Sequence, residues 1–182
     1  MLPIRDVEHL IRAMDQGFDP KFLFFWGHTP PRSGVNKSCF SQWFPAAFEL
    51  EGQVYPTAEH YMMAKKARLF ADEQIRPAIL AADHPGEAKK LGRQVQGFDE
   101  SIWAAARWSI VVAANRAKFG QNPEMKAFLL ATGERVLVEA SPYDRIWGIG
   151  LGERDPSAAN PTTWKGLNLL GFALMEVRQL LV

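Results

Sequence analysis

The strongest constraint in this chain is a long helical pattern from Glu100 to Phe119, where Ile102, Trp103, Ala106, Ile110, Ala113 and Ala117 form an apolar stripe. Such a stripe has to be buried against other elements, and most of its neighbours also read as helix. Val7, Leu10, Ile11 and Met14 recur at helical spacing between a capping Asp6 and a terminating Gly17. Thr57 caps a helix carrying His60, Met63, Ala64 and Ala67. Asp72 opens another helical stretch, kinked near Pro77, and Asp83 with Pro85 opens a third that ends near Gly92. Asn122-Pro123 starts a helix closed by Gly133. Lys165 to Leu181 is a final apolar helix with Leu170, Leu174, Val177 and Leu181 on one side. Strand signals are short: Phe22 to Trp26, a hairpin of Phe48–Leu50 and Val54–Tyr55 around Glu51-Gly52-Gln53, and Val136 to Val138. The βαβ alternation of a dinucleotide-binding sheet is missing. The expectation is a mainly α chain forming one domain over residues 1–182, with a few short strands.

Charge and composition narrow the function classes. Lys and Arg total 21 and Asp and Glu 20, a formal charge of +1, so any nucleic-acid contact has to be local. The lone cysteine, Cys39, excludes an internal disulfide framework, and without a neighbouring histidine to activate it, it reads as a small core residue. His9, His28, His60 and His84 are scattered without ligand spacing, so no metal and no cofactor is expected. No apolar run reaches the ~18 residues of a membrane span. Met1 to Asp6 lacks the apolar core of a signal peptide, which predicts a soluble cytoplasmic protein. Six Trp and twelve Phe suit both a core and a pocket for flat ligands.

The segment Pro56-Thr57-Ala58-Glu59-His60-Tyr61-Met62-Met63-Ala64-Lys65-Lys66-Ala67 carries the most chemistry. Glu59 and Lys66 are seven residues apart, which puts a carboxylate and an amine on one helix face two turns apart. Together they could serve a bond cleavage needing charge stabilisation and proton transfer. On spacing alone a structural place for Glu59 in the first turn, where the helix dipole favours an acid, is the preferred reading. Ser141 to Pro161 is a long loop rich in Gly, Pro and Asp that follows a buried strand, and loops of that length are often functional. There Asp144 is a second candidate acid, Trp147 could stack on a ring, and Gly148 and Gly150 allow close backbone approach. Asp144 could equally cap its own turn. On the long helix, Arg107, Val111, Asn115 and Lys118 share a stripe that either attracts phosphate or forms the solvated face, and the solvated reading is preferred. Gly148-Ile149-Gly150-Leu151-Gly152 resembles a phosphate loop only superficially, since the Lys-Ser/Thr ending is absent.

Four blocks in order resemble the YbiA-like, or NADAR, family over about residues 22–180. They are Phe40-Ser41-Gln42-Trp43-Phe44 with its hairpin, the helix of Pro56 to Ala67, the Trp103…Arg107…Asn115…Lys118-Phe119 helix, and the tail from Ala140-Ser141-Pro142-Tyr143-Asp144 through Trp164-Lys165-Gly166 to Arg178. Ser41-Gln42-Trp43 departs from the Ser-Asn-Phe of other members. The resemblance implies a mainly α, single-domain orthogonal helical bundle with a few short β-strands. It also implies hydrolysis of an N-glycosidic bond in ribosylaminopyrimidine phosphates, early intermediates of riboflavin biosynthesis. Some members instead remove ADP-ribose from guanine in DNA, and a non-catalytic ADP-ribose-binding module is a further alternative. By motif position, Glu59, Asp144 and Lys66 are the implied catalytic residues, and Trp147, Ser41, Arg93, Trp103, Lys118 and Asn168 the implied substrate-binding ones. Either a carboxylate near C1′ stabilises the ribosyl cation and activates water, or Lys66 attacks the ring-opened sugar as a Schiff base.

Overall fold

The computed structural model describes residues 4–182, so part of the N-terminal leader reading, Met1 to Pro3, lies outside the described residues. Seven α-helices and four short strands are found among the described residues. Helix α1 (Val7–Asp15) starts at Asp6, whose carboxylate accepts from the His9 amide, and gives way to Gly17 at φ +95°. Strand β1 (Phe22–Phe25) leads into a loop and a 3₁₀ turn at Lys37–Phe40. Strands β2 (Phe48–Leu50) and β3 (Gln53–Tyr55) form the expected antiparallel hairpin. Helix α2 (Ala58–Leu69) begins at Thr57, whose hydroxyl accepts from the His60 amide.

Helix α3 (Arg76–Ala81) has Pro77 in its first turn, so the proline starts this helix and does not kink it, while Asp72 holds the preceding turn through the Ile75 amide. Helix α4 (Pro85–Gly92) is capped by His84, whose Nδ1 accepts from Gly86 N, and not by Asp83. Helix α5 (Glu100–Gln121) is the longest, followed by α6 (Pro123–Leu130), β4 (Val136–Glu139) and α7 (Leu169–Leu180). The last helix starts four residues later than its apolar pattern suggests, because residues 165–168 fold back along the preceding loop. There Lys165 N donates to Ile149 O, and Asn168 N to Gly148 O.

The core forms where α2 packs on α3, α4 and α5, α5 packs on α6 and α7, and α7 covers β4. The expected stripe on α5 is rotated. Ile102 is 50% exposed, whereas Trp103, Val111, Ala114, Asn115 and Lys118 are buried. The face read as solvated therefore points inward, where Lys118 donates to backbone carbonyls and Asn115 to Val111 O and the Gln42 side chain.

Strands β1 and β4 pair in parallel, Phe22 opposite Val136 through Phe25 opposite Glu139. Their carboxyl ends open on one side of the molecule. A crevice beyond the carboxyl ends of parallel strands is a favoured place for a ligand, because the chains leaving the strands diverge there.

Candidate active site

A cavity of about 790 Å³ lies at that end of the strand pair. Its wall is built from five places in the chain. Trp26, Gly27 and His28 follow β1; Ser41, Gln42 and Trp43 follow the 3₁₀ turn; Glu59 comes from α2 and Lys89 and Arg93 from α4; Glu139 ends β4 and is followed by Ser141 and residues 143–147.

The inward polar stripe of α5 fixes the Ser41–Trp43 segment from behind. Lys118, with no solvent exposure, donates to the carbonyls of Cys39 at 2.7 Å and Ser41 at 2.8 Å. Burial pushes its amine down to about 7, and two bonds are what a neutral amine can donate. The Asn115 amide donates to Gln42 Oε1 at 2.8 Å and to its own helix at Val111 O. The Gln42 carbonyl in turn accepts from the Glu59 amide at 3.0 Å, tying the segment to the first turn of α2. Burial pushes the Cys39 thiol up to about 12, which leaves it an inert packing residue.

Glu59 is only 2% exposed, and its Oε1 has no hydrogen-bond partner. A first-turn acid serving only the helix dipole would sit in solvent. Burial pushes this carboxyl up to about 7, with Asp144 adding repulsion against the pull of Lys89, the Trp43 indole and Arg93. Its neighbour His60 is spent on structure: Nδ1 meets the Thr57 hydroxyl at 2.8 Å and Nε2 meets Ala82 O at 2.9 Å.

The loop after β4 is wound into two consecutive side-chain turns. Ser141 Oγ accepts from the amides of Tyr143 and Asp144, and Asp144 Oδ1 accepts from Ile146 at 2.9 Å and Trp147 at 2.8 Å. Asp144 thus caps the backbone with one oxygen, and the residue lines the cavity. Gly148 lets the loop double back, since a Cβ there would stand 2.8 Å from Glu139 O. Aromatic rings line the mouth: Trp43 is 5.3 Å from His28 between centroids, and the exposed pair Trp26 and Tyr143 is 6.2 Å apart.

Of the residues singled out from sequence, Glu59, Asp144, Trp147, Ser41 and Arg93 meet at this cavity. Lys66, Trp103, Lys118 and Asn168 do not line it. Lys66 lies two turns along α2 with Nζ 4.3 Å from the Phe98 ring centroid and 5.7 Å from that of Trp103. Burial lowers its pKa, partly offset by Glu100 and Glu59. Lys118 and Asn168 are fully buried and bonded to backbone, which places them behind the wall. Arg107 pairs with Glu100 at 3.3 Å. The sequence left Glu139, Lys89 and His28 unmarked as wall residues, whereas Trp43 stood in the block that departs from other family members. The signal for Glu139 was an acid closing a buried three-residue apolar strand. For Lys89 it was its place one turn before Arg93 on the same helix face.

Comparison with known proteins gives the family and the fold. The NADAR domain family model matches residues 24–182. The chain is 43% identical over 164 residues to N-glycosidase R617 of Acanthamoeba polyphaga mimivirus, covering 87% of this chain and 95% of that protein. It is 34% identical over 140 residues to N-glycosidase YbiA of Escherichia coli strain K12, covering 77% and 79%. The NMR structure of Escherichia coli YbiA superposes with a TM-score of 0.71 at 30% identity, over 90% of this chain and 86% of that one. No helix among the described residues is long and apolar enough to cross a membrane. With its helix-dominated architecture shared across nearly the whole chain, the protein belongs to the NADAR domain family, in which N-glycosidases are found.

Proposed function

We propose that this protein is an N-glycosidase that hydrolyses the bond between ribose and base nitrogen in ribosylaminopyrimidine phosphates, the early riboflavin intermediates. The observation that carries the reading is Glu59: a buried carboxyl with an unpartnered oxygen, at a cavity it shares with Asp144, with cationic Lys89 and Arg93, and with aromatic rings. Breaking the C1′–N bond builds positive charge on the sugar, which a close carboxylate stabilises before water adds. Asp144 and Glu59 supply the stabilising negative charge. Lys89 on α4 and Arg93, which follows the helix as its C-cap one turn later, suit the phosphate. Trp147 and Trp43 suit the flat base. Ser41 lies on the same wall, but its hydroxyl accepts from Trp43 N at 3.1 Å and serves the turn.

A second reading is favoured by the exposed Trp26 and Tyr143 at the rim, which extend the stacking surface beyond a mononucleotide. It is removal of an ADP-ribosyl group from guanine in DNA. Offering purified protein a ribosylaminopyrimidine phosphate and an ADP-ribosylated guanine oligonucleotide side by side, and measuring sugar release, separates the two. If Glu59→Gln and Asp144→Asn each left turnover within about twofold of wild type, the assignment would be wrong, since a group in acid–base or charge-stabilising contact contributes about 10²–10⁴-fold.

A further inference from the structure

We propose that Glu139 is a third reacting carboxyl of this site, the group that passes a proton to the departing base nitrogen while Glu59 and Asp144 face the ribose; this rests on the N-glycosidase reading above.

Glu139 is the last residue of β4, at the carboxyl end of the parallel pair, and it lines the cavity. Its backbone is held on both sides. The amide donates to Asn168 Oδ1 at 2.9 Å, and the carbonyl accepts from Ile149 N at 3.0 Å. Asn168 completes its bridge by donating from Nδ2 to Leu137 O at 2.9 Å. It stands at φ +52°, and Gly171 leaves room for it, since a Cβ there would strike both the Asn168 side chain and Leu137 O. Asn168 is thus a positioning residue for Glu139.

The side chain is held less completely than the backbone. Glu139 Oε2 is buried and has no hydrogen-bond partner, the same condition as Glu59 Oε1 across the cavity. An unpaired buried carboxylate is a costly way to end a strand, and a glutamine or an apolar residue would serve packing better. A protonated carboxyl removes most of that cost.

The charges around it favour Glu139 as the carboxyl that keeps the proton. Asp144 on the following loop and Glu59 on α2 repel a charge at Glu139, and Lys89 on α4 is the cation that opposes them. Glu59 by contrast has Lys89, Arg93 and the Trp43 indole in its favour. Burial first, then the two neighbouring acids, push Glu139 up to about 8. Carboxyls crowded into one site divide into a proton holder and an ionised partner.

In the step itself the C1′–N bond breaks and its electron pair goes to nitrogen, which takes the proton from Glu139. Water adds to C1′ and gives up a proton to Glu59 or Asp144. Exchange with solvent returns a proton to Glu139, so the net change is addition of one water.

The test compares leaving groups. Glu139→Gln keeps the shape and cannot supply the proton. With a ribosylaminopyrimidine phosphate, kcat should fall about 10²–10⁴-fold, and the wild-type loss of kcat/KM above pH 8 should disappear. With 4-nitrophenyl ribofuranoside 5-phosphate, whose leaving group departs without a proton, the loss should be under about tenfold. Glu139→Asp, which keeps a proton but withdraws it, should lose less than Glu139→Gln on the first substrate alone. Equal losses on both substrates, or activity within about twofold of wild type on both, would overturn the assignment while leaving the N-glycosidase reading intact. If wild-type protein released sugar from neither substrate, that reading would fail and the role of Glu139 with it.

Discussion

Replacing Glu59 with glutamine should make the protein more stable, and increasingly so as pH rises. The carboxyl has an ordinary value of 4.5 and stands at about 7 in the folded protein. The folded state therefore holds this proton more tightly than the unfolded chain, and folding is penalised once the unfolded group ionises. Below pH 4.5 both states are protonated and the penalty vanishes. It grows through the window from 4.5 to 7 and is complete above it, at about 3 kcal/mol for a raised value of this size. At pH 5.5 the same linkage gives about 1 kcal/mol, so the advantage of Glu59→Gln should widen by about 2 kcal/mol between pH 5.5 and 8.5. No discount for solvent screening applies, since the residue is 2% exposed. Any fixed cost of burying an amide cancels in that difference. In a chain of this length the widening corresponds to about 4–8 °C in Tm. Urea denaturation of both proteins at the two pH values measures it. A stability difference that stays constant with pH would refute the claim that Glu59 is a desolvated acid.

Other expectations follow from the supports of the cavity and from its chemistry. Lys118→Met leaves the Cys39 and Ser41 carbonyls buried without donors and should cost about 2–5 kcal/mol in chemical denaturation, an unsatisfied buried group costing about 1–3 kcal/mol. Because the Lys118 pKa is lowered to about 7 from 10.5, the native state binds fewer protons than the unfolded chain in that window. Wild type should therefore gain stability over Lys118→Met as pH rises through it, the opposite sense to Glu59. Asn168→Gly keeps the left-handed backbone but removes the bridge between Glu139 and Leu137, and should cost about 1–3 kcal/mol by thermal melting. Borohydride added during turnover should trap no adduct on Lys66 by mass spectrometry if a carboxylate carries the reaction; an adduct would establish the amine route. Trp147→Ala should raise KM more than it lowers kcat, since stacking acts on the bound base and not on the breaking bond.

Helix boundaries were legible where a side chain closes them. Asp6 and Thr57 cap α1 and α2 as their position before a periodic apolar run implies. The inward face of α5 was not legible, because Asn115 and Lys118 bury by meeting carbonyl and amide groups some 75 positions away, a match no local pattern contains. The start of α7 was missed for a similar reason. Gly166 and Asn168 are weak helix formers, and the amides of Lys165, Leu167 and Asn168 are claimed by the 145–149 loop. At the cavity, Glu59 and Asp144 stood within distinctive motifs. Glu139 closed a strand with nothing beside it in sequence to mark it, and its significance comes from Glu59, Asp144 and Lys89 meeting it in space.

The pairing of β1 with β4 joins Phe22 to Val136, positions 114 apart in the chain. Contacts between such distant segments form only after a large loop is closed, and slowly compared with the local packing of helices. During translation the segments bearing Trp26, Trp43, Glu59 and Lys89 emerge well before Glu139 and Asp144. A nascent chain stalled short of β4 would hold half a pocket and no strand partner, so hydrolytic competence should arrive late in synthesis, with the release of its last quarter from the ribosome.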